Sequence, residues 1–191
     1  MTKLNYKIIA YIMGLLLLFN GGFMLICAGV SAIYREQEGY SILTASVVAI
    51  VLGALTMYLT KNHIKDLQKK EGYLIVTLGW LIMAFAGTMP YIFTGTITNY
   101  TDAFFETMSG FTTTGASIMN DIESMPKGVL FWRSLTHWIG GMGIIVLAVA
   151  ILPLLGIGGM QLFAAEAPGP SADKLHPRIT DTAKRLSLIH I

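Results

Sequence analysis

Residues 105–116 read FETMSGFTTTGA, an apolar, helix-like stretch that breaks at Ser109-Gly110 and runs into three threonines and a glycine. Successive carbonyls from Thr112, Thr113, Thr114 and Gly115 can replace the hydration shell of a monovalent cation, and this chemistry needs no charged side chain. Glycine at Gly110 and Gly115 is expected to permit the backbone turns that such a run requires. Glu106 is the ionisable group of the stretch, and a carboxylate at membrane depth is costly enough to be a functional candidate. Its expected task is to bond backbone or hydroxyl groups that hold the carbonyl run rather than to bind the ion. The alternative is an exposed residue near the outer water.

A bare TTTG is ordinarily a polar turn, so its setting decides the reading. Of the 191 residues 54% are hydrophobic and only 13% charged, with a mean hydropathy of +0.63; these values lie outside the range of a soluble domain. Four stretches, residues 8–33, 42–60, 73–93 and 130–155, reach the roughly 20 apolar residues that cross about 30 Å of hydrocarbon. The first exceeds the roughly 7 to 15 residues of a signal-peptide core, so it is expected to be retained. TTTG then falls in the loop between the third and fourth spans, and a backbone at that depth must line water or an ion because lipid leaves its polar groups unpaired. Thr98, Asn99 and Thr101 offer N-caps for a short helix over 102–109, with Asp102 in its first turn. The carbonyl end of that helix carries about half a negative charge, which favours a cation beyond it. The expected fold is an all-α integral membrane protein: a two-helix hairpin, then a helix, a re-entrant pore loop and a helix.

Lysines and arginines set the orientation, since cytoplasmic loops collect them. Lys3 and Lys7 precede the first span; Lys61, Lys65, Lys69 and Lys70 separate the second from the third; Lys174, Arg178, Lys184 and Arg185 follow the fourth. The loop 34–40 has only Arg35 against Glu36 and Glu38, and the loop 94–129 has Lys127 alone. Both termini are therefore expected in the cytoplasm and TTTG outside.

Other chemistries find less support. A net charge of +2 is too small to suggest nucleic acid, and the lone Cys27 can build neither a disulfide framework nor a thiolate metal site. Gly140-Gly141-Met142-Gly143 lacks the strand and the lysine of a phosphate-binding loop; with Gly140, Gly141 and Gly143 it reads instead as a thin helix face packed on the pore helix. Arg133 lies one turn before His137, a pairing that could serve a metal site or a proton relay, but with one histidine and no nearby cysteine Arg133, His137 and Trp138 suggest interfacial anchoring. Pro153, Gly156, Gly158 and Gly159 would loosen the inner end of the last span, either for gating or simply to end the helix. A membrane enzyme would draw on Glu106, Asp121 and His137, which share no helical face or loop.

The segments DAFFETMSGFTTTGASIM, FWRSLTHWIGGMGIIVLAVAILPLLGIGGMQLFAAEAPGP and HPRITDTAKRL closely resemble the TrkH branch of the Trk, Ktr and HKT superfamily of potassium uptake proteins. The resemblance implies a potassium-channel-like protein whose four membrane, pore-loop, membrane units lie in one polypeptide. Thr112, Thr113, Thr114 and Gly115 would form the first of four filter segments, with potassium, the transported ion, held by the carbonyls of Thr113 and Thr114, and with Glu106 and Gly110 in support. Glycine at 115 goes with potassium permeation in that superfamily, and serine would suggest sodium. Residues 1–60 would be the N-terminal hairpin, 61–72 a cytoplasmic linker, 73–160 the first unit, and 161–191 a cytoplasmic connector to a second unit, so the chain is expected to be an N-terminal fragment. The resemblance further implies no catalytic residues and no cofactor, ion symport in the bacterial inner membrane, a homodimer of the complete protein, and a cytoplasmic nucleotide-binding regulatory subunit, TrkA. The other assembly is a homotetrameric cation channel of four 191-residue copies.

Overall fold

A computed structural model describes residues 4–61 and 69–141, and every element within them is helical. The order is α1 (Tyr6–Ile33), α2 (Gly39–Thr60), α3 (Lys69–Gly87), α4 (Met89–Thr94), α5 (Tyr100–Phe111) and α6 (Lys127–Gly141). By length and composition α1, α2 and the stretch Lys70–Thr94 can each cross a membrane, with mean hydropathies of 2.1, 2.2 and 1.7. The all-α membrane fold is that read from the sequence.

Asn5 starts α1 as its N-cap, its side chain accepting from Ile8 N. α1 and α2 then lie backbone against backbone. A Cβ at Gly14 would stand 2.8 Å from the Gly53 carbonyl and one at Gly53 would stand 2.7 Å from the Gly14 carbonyl, so only glycine fits on either helix. Ser46 Oγ adds a bond to the Gly21 carbonyl at 2.7 Å, and Asn20 Nδ2 reaches the Met83 carbonyl on α3 at 3.1 Å. Both side chains are fully buried, where such bonds offset part of the cost of burying a polar group, although Asn20 Oδ1 has no partner among the described residues.

The third span is interrupted where a single helix was expected over 73–93. α3 stops at Gly87, Thr88 is a turn, and α4 resumes with Pro90 in its first positions. Proline has no N–H for the Ala86 carbonyl and its ring crowds that carbonyl, which breaks the ladder at this point. α4 closes on Gly95 at φ 71. α6 packs at this point: Trp132 Nε1 donates to the Gly87 carbonyl at 3.0 Å, and Tyr91, Phe111 and Trp132 are the largest fully buried side chains.

The expected fourth span, 130–155, begins earlier, at Lys127. The rest of that stretch with Gly143, Pro153, Gly156, Gly158 and Gly159, most of the expected linker 61–72, and the expected connector 161–191 lie outside the described residues.

Candidate functional site

α5 is two residues longer at each end than the expected 102–109. Asn99 caps it, its Oδ1 accepting from Thr101 N at 3.0 Å, and Asp102 sits in the first turn. At the other end Thr112 N bonds the Met108 carbonyl at 2.8 Å, Thr113 N the Gly110 carbonyl at 2.9 Å and Thr114 N the Ser109 carbonyl at 3.0 Å. The last two form the paired closure of a Schellman motif, which places the residue after the cap in the left-handed region. That residue is Thr113, at φ 54. A β-branched side chain rarely adopts this conformation, and holding it costs on the order of 1–3 kcal/mol, which surrounding bonds must offset.

Those bonds are present. Thr112 Oγ1 donates to the Met108 carbonyl at 2.7 Å and lies 2.8 Å from Thr114 Oγ1. Thr113 Oγ1 donates to the Thr112 carbonyl at 2.7 Å, and Ser109 Oγ donates to the Ala116 carbonyl. Gly115 takes the second left-handed position, φ 78, with open space where a Cβ would project. Its requirement for glycine is conformational rather than steric. Residues 112–118 are exposed.

Gly110 departs from its expected use. It has an ordinary helical backbone inside α5, and what it supplies is a missing Cβ, which would otherwise overlap Thr136 Oγ1 on α6. Gly140 does the same one turn on, because a Cβ there would overlap the Phe111 carbonyl. α6 is thereby seated directly on the residues that precede Thr112.

Glu106 is 1% exposed and does not face outer water. Its carboxylate accepts from Ser117 Oγ at 3.0 and 3.1 Å, from Ile118 N at 3.1 Å and from Arg133 Nε at 2.7 Å. One side chain thus ties α5 both to the chain just beyond Gly115 and to α6. Sequence reasoning assigned Arg133 to interfacial anchoring and missed this ion pair. The signal that could have found it is the spacing of Arg133, Thr136 and Gly140, three and four residues apart, which puts all of them on the helix face turned to α5.

The other polar groups do not converge. Asp121 is exposed and its Oδ1 accepts from Ser124 N at 3.3 Å. His137 Nδ1 lies 2.9 Å from the Arg133 carbonyl of its own helix, and Trp138 makes an edge contact with Phe23.

Comparison with known proteins matches residues 38–191 to the model of the family TrkH, cation transport protein. The chain is 44% identical over 190 residues to the Trk system potassium uptake protein TrkH of Escherichia coli, covering 98% of this chain and 39% of that protein. It is 36% identical over 188 residues to the Trk system potassium uptake protein TrkG of the same organism, covering 97% and 39%. The crystal structure of the potassium transporter TrkH from Vibrio parahaemolyticus superposes with a TM-score of 0.76 at 39% identity, over 98% of this chain and 37% of that one. The chain therefore spans about two fifths of the length of the relatives it matches.

Proposed function

The chain belongs to the TrkH family of cation transport proteins, and from that premise we propose that it supplies one quarter of a potassium-selective pore in a Trk-type uptake system. Potassium reaches Thr112, Thr113, Thr114 and Gly115 from outside, exchanges water for backbone carbonyls, with Thr113 and Thr114 as its ligands, and passes inward. The membrane potential supplies about 2.3 kcal/mol per charge per 100 mV, so uptake needs no reaction by this chain. Residues 73–160 form the first membrane, pore-loop, membrane unit, preceded by the hairpin 1–60 and the cytoplasmic linker 61–72, and 161–191 connect to the next unit.

The observation that carries this reading is the passage of α5 into a strained, exposed turn. The partial negative charge at the α5 C-terminus, the left-handed Thr113 and Gly115, and the Glu106 bonds to Ser117 and Ile118 suit a rigid carbonyl run presented to a shared axis. Glu106 and Gly110 support that run, the first by hydrogen bonding and the second by admitting α6.

The lysine distribution supports a multi-pass protein of the bacterial inner membrane with the ends of this chain in the cytoplasm. The turn 34–38 lies beside the start of α6, where Glu36 bonds Lys127 and Gly128, in keeping with both loops on the outer face. The resemblance adds a homodimer of the complete protein, ion symport and the nucleotide-binding regulatory subunit TrkA at the cytoplasmic surface.

Substitution Gly115→Ser in the complete transporter tests the reading by paired rubidium and sodium fluxes in proteoliposomes. Most of the preference for the larger ion should be lost while the protein still reaches the membrane. An unchanged preference in a folded protein removes the filter assignment.

A further inference from the structure

The first turn of α6 contains no acidic residue, yet its N–H groups meet a carboxylate from a distant part of the chain. Glu36, in the turn between α1 and α2, accepts from Lys127 N on Oε1 at 2.6 Å and from Gly128 N on Oε2 at 3.1 Å. Ser31 Oγ donates to the same Oε2 at 2.9 Å. The first N–H groups of a helix have no partner within it and carry partial positive charge, so a carboxylate there is stabilising. Lys127 and Gly128 are 91 and 92 residues from Glu36, which makes the contact tertiary rather than a local cap.

The surroundings fit that contact. Arg35 is left-handed at φ 57 and closes the end of α1 as Thr113 closes α5, with Arg35 N on the Ala32 carbonyl and Glu36 N on the Ser31 carbonyl. A side-chain-bearing residue costs roughly 1–2 kcal/mol in that conformation. The tight turn it makes directs residue 36 at α6. Gly128 leaves no space for a Cβ, which would stand 2.7 Å from Ser31 Cβ and 2.9 Å from Ile42 Cδ1. Partial burial alone would raise the Glu36 carboxyl, but the bonds from Lys127 N, Gly128 N and Ser31 and the charge of Lys127 outweigh it and hold the group below the usual carboxylate range.

α6 is also the helix that bears on the pore loop, through Arg133 on Glu106 and Gly140 on the Phe111 carbonyl. We infer that Glu36 is a positioning residue that clamps the α1–α2 hairpin to the start of α6, so that the hairpin sets the pose of α6 and thereby the geometry of Thr112 to Gly115. This inference rests on the pore reading of that loop.

The test uses the complete transporter in proteoliposomes and reads the ratio of rubidium to sodium flux. Glu36→Gln should lower the ratio roughly 2- to 30-fold, the range over which substitutions remote from a site change its energetics, with the amount of protein in the membrane unchanged. Glu36→Asp, which keeps the charge, should stay nearer the parent ratio. A fall in both fluxes with the ratio preserved means that Glu36 serves only the amount of active protein, and overturns the inference. An unchanged ratio in Glu36→Gln beside a shifted one in Gly115→Ser overturns the clamp and leaves the pore reading standing; no shift in either removes both. Should Glu36→Gln fail to accumulate, Ser31→Ala is read instead. It removes one hydrogen bond and keeps the carboxylate, so a smaller shift in the same direction supports the clamp and none overturns it.

Discussion

Glu106 gathers a hydroxyl, a backbone N–H and a guanidinium around two oxygens at a fully buried site, while Arg133 retains 20% of its side-chain exposure. Desolvating such a pair costs much of what its attraction returns, so its net stabilisation can be small. Removing one partner is far worse, at about 3–5 kcal/mol, because the other charge is left uncompensated. Glu106→Gln should therefore destabilise strongly, since its amide turns one acceptor into a donor that faces either Arg133 Nε or Ile118 N. Arg133→Lys should cost less, keeping the charge but losing the planar geometry of the guanidinium. The double variant Glu106→Gln with Arg133→Gln should cost less than the sum of its singles by roughly 0.5–3 kcal/mol, measured by thermal unfolding in detergent. Strict additivity would show that the pair is a neighbour contact without energetic coupling. That Glu106 would bond backbone and hydroxyl groups was legible from its type and depth alone, and its bonds to Ser117 Oγ and Ile118 N match that reading. Its partner was hidden because arginine near a membrane boundary has a second, commoner explanation.

Along α6, sequence and structure agree on which face matters and disagree on why. The glycines were read as a thin face for packing, and Gly140 does lie against α5, but what it meets is the carbonyl of Phe111, immediately before Thr112. Gly140→Ala gains up to about 1 kcal/mol of helix propensity. The opposing effect is larger, since a backbone carbonyl cannot rotate away as a side chain can, and overpacking of this kind typically costs 1–3 kcal/mol. The variant should thus be less stable and, on the proposed pore reading, should shift the rubidium to sodium ratio, because the displaced atom lies immediately before Thr112. A more stable protein with unchanged ratio would mean that α6 has room to retreat. The interruption of the third span at Thr88 was within reach of the sequence, since Pro90 stands there. Hydropathy runs straight through it, however, so the apolar count hid the break. The role of Gly110 was hidden for another reason: a glycine next to a polar loop invites a turn, and only the position of Thr136 reveals that space was needed instead.

At the scale of the molecule, the helices turn large apolar side chains such as Leu25, Ile26, Val47, Val51 and Leu55 outward, a surface that suits lipid or further helices and not water. The same openness surrounds residues 112–118. A ring of carbonyls around an ion needs several such segments, four in potassium filters, and the described residues offer one candidate, 112–115. The matched relatives extend well beyond this chain, since it spans 39% of the Escherichia coli TrkH length, so the remaining segments are expected on the same polypeptide. An antibody against residues 61–72 should accordingly detect, in native membranes, a band more than twice the 20.8 kDa of this chain. A band at 20.8 kDa would instead require four copies around one axis, each bringing its own α1–α2 hairpin. The clamp at Glu36 and the ion pair at Arg133 would then occur four times and identically. In that arrangement Gly115→Ser would alter the whole carbonyl ring at once, whereas in the single-polypeptide arrangement it alters one quarter of it. Flux selectivity that degrades partially rather than completely is thus the second signature that separates the two assemblies.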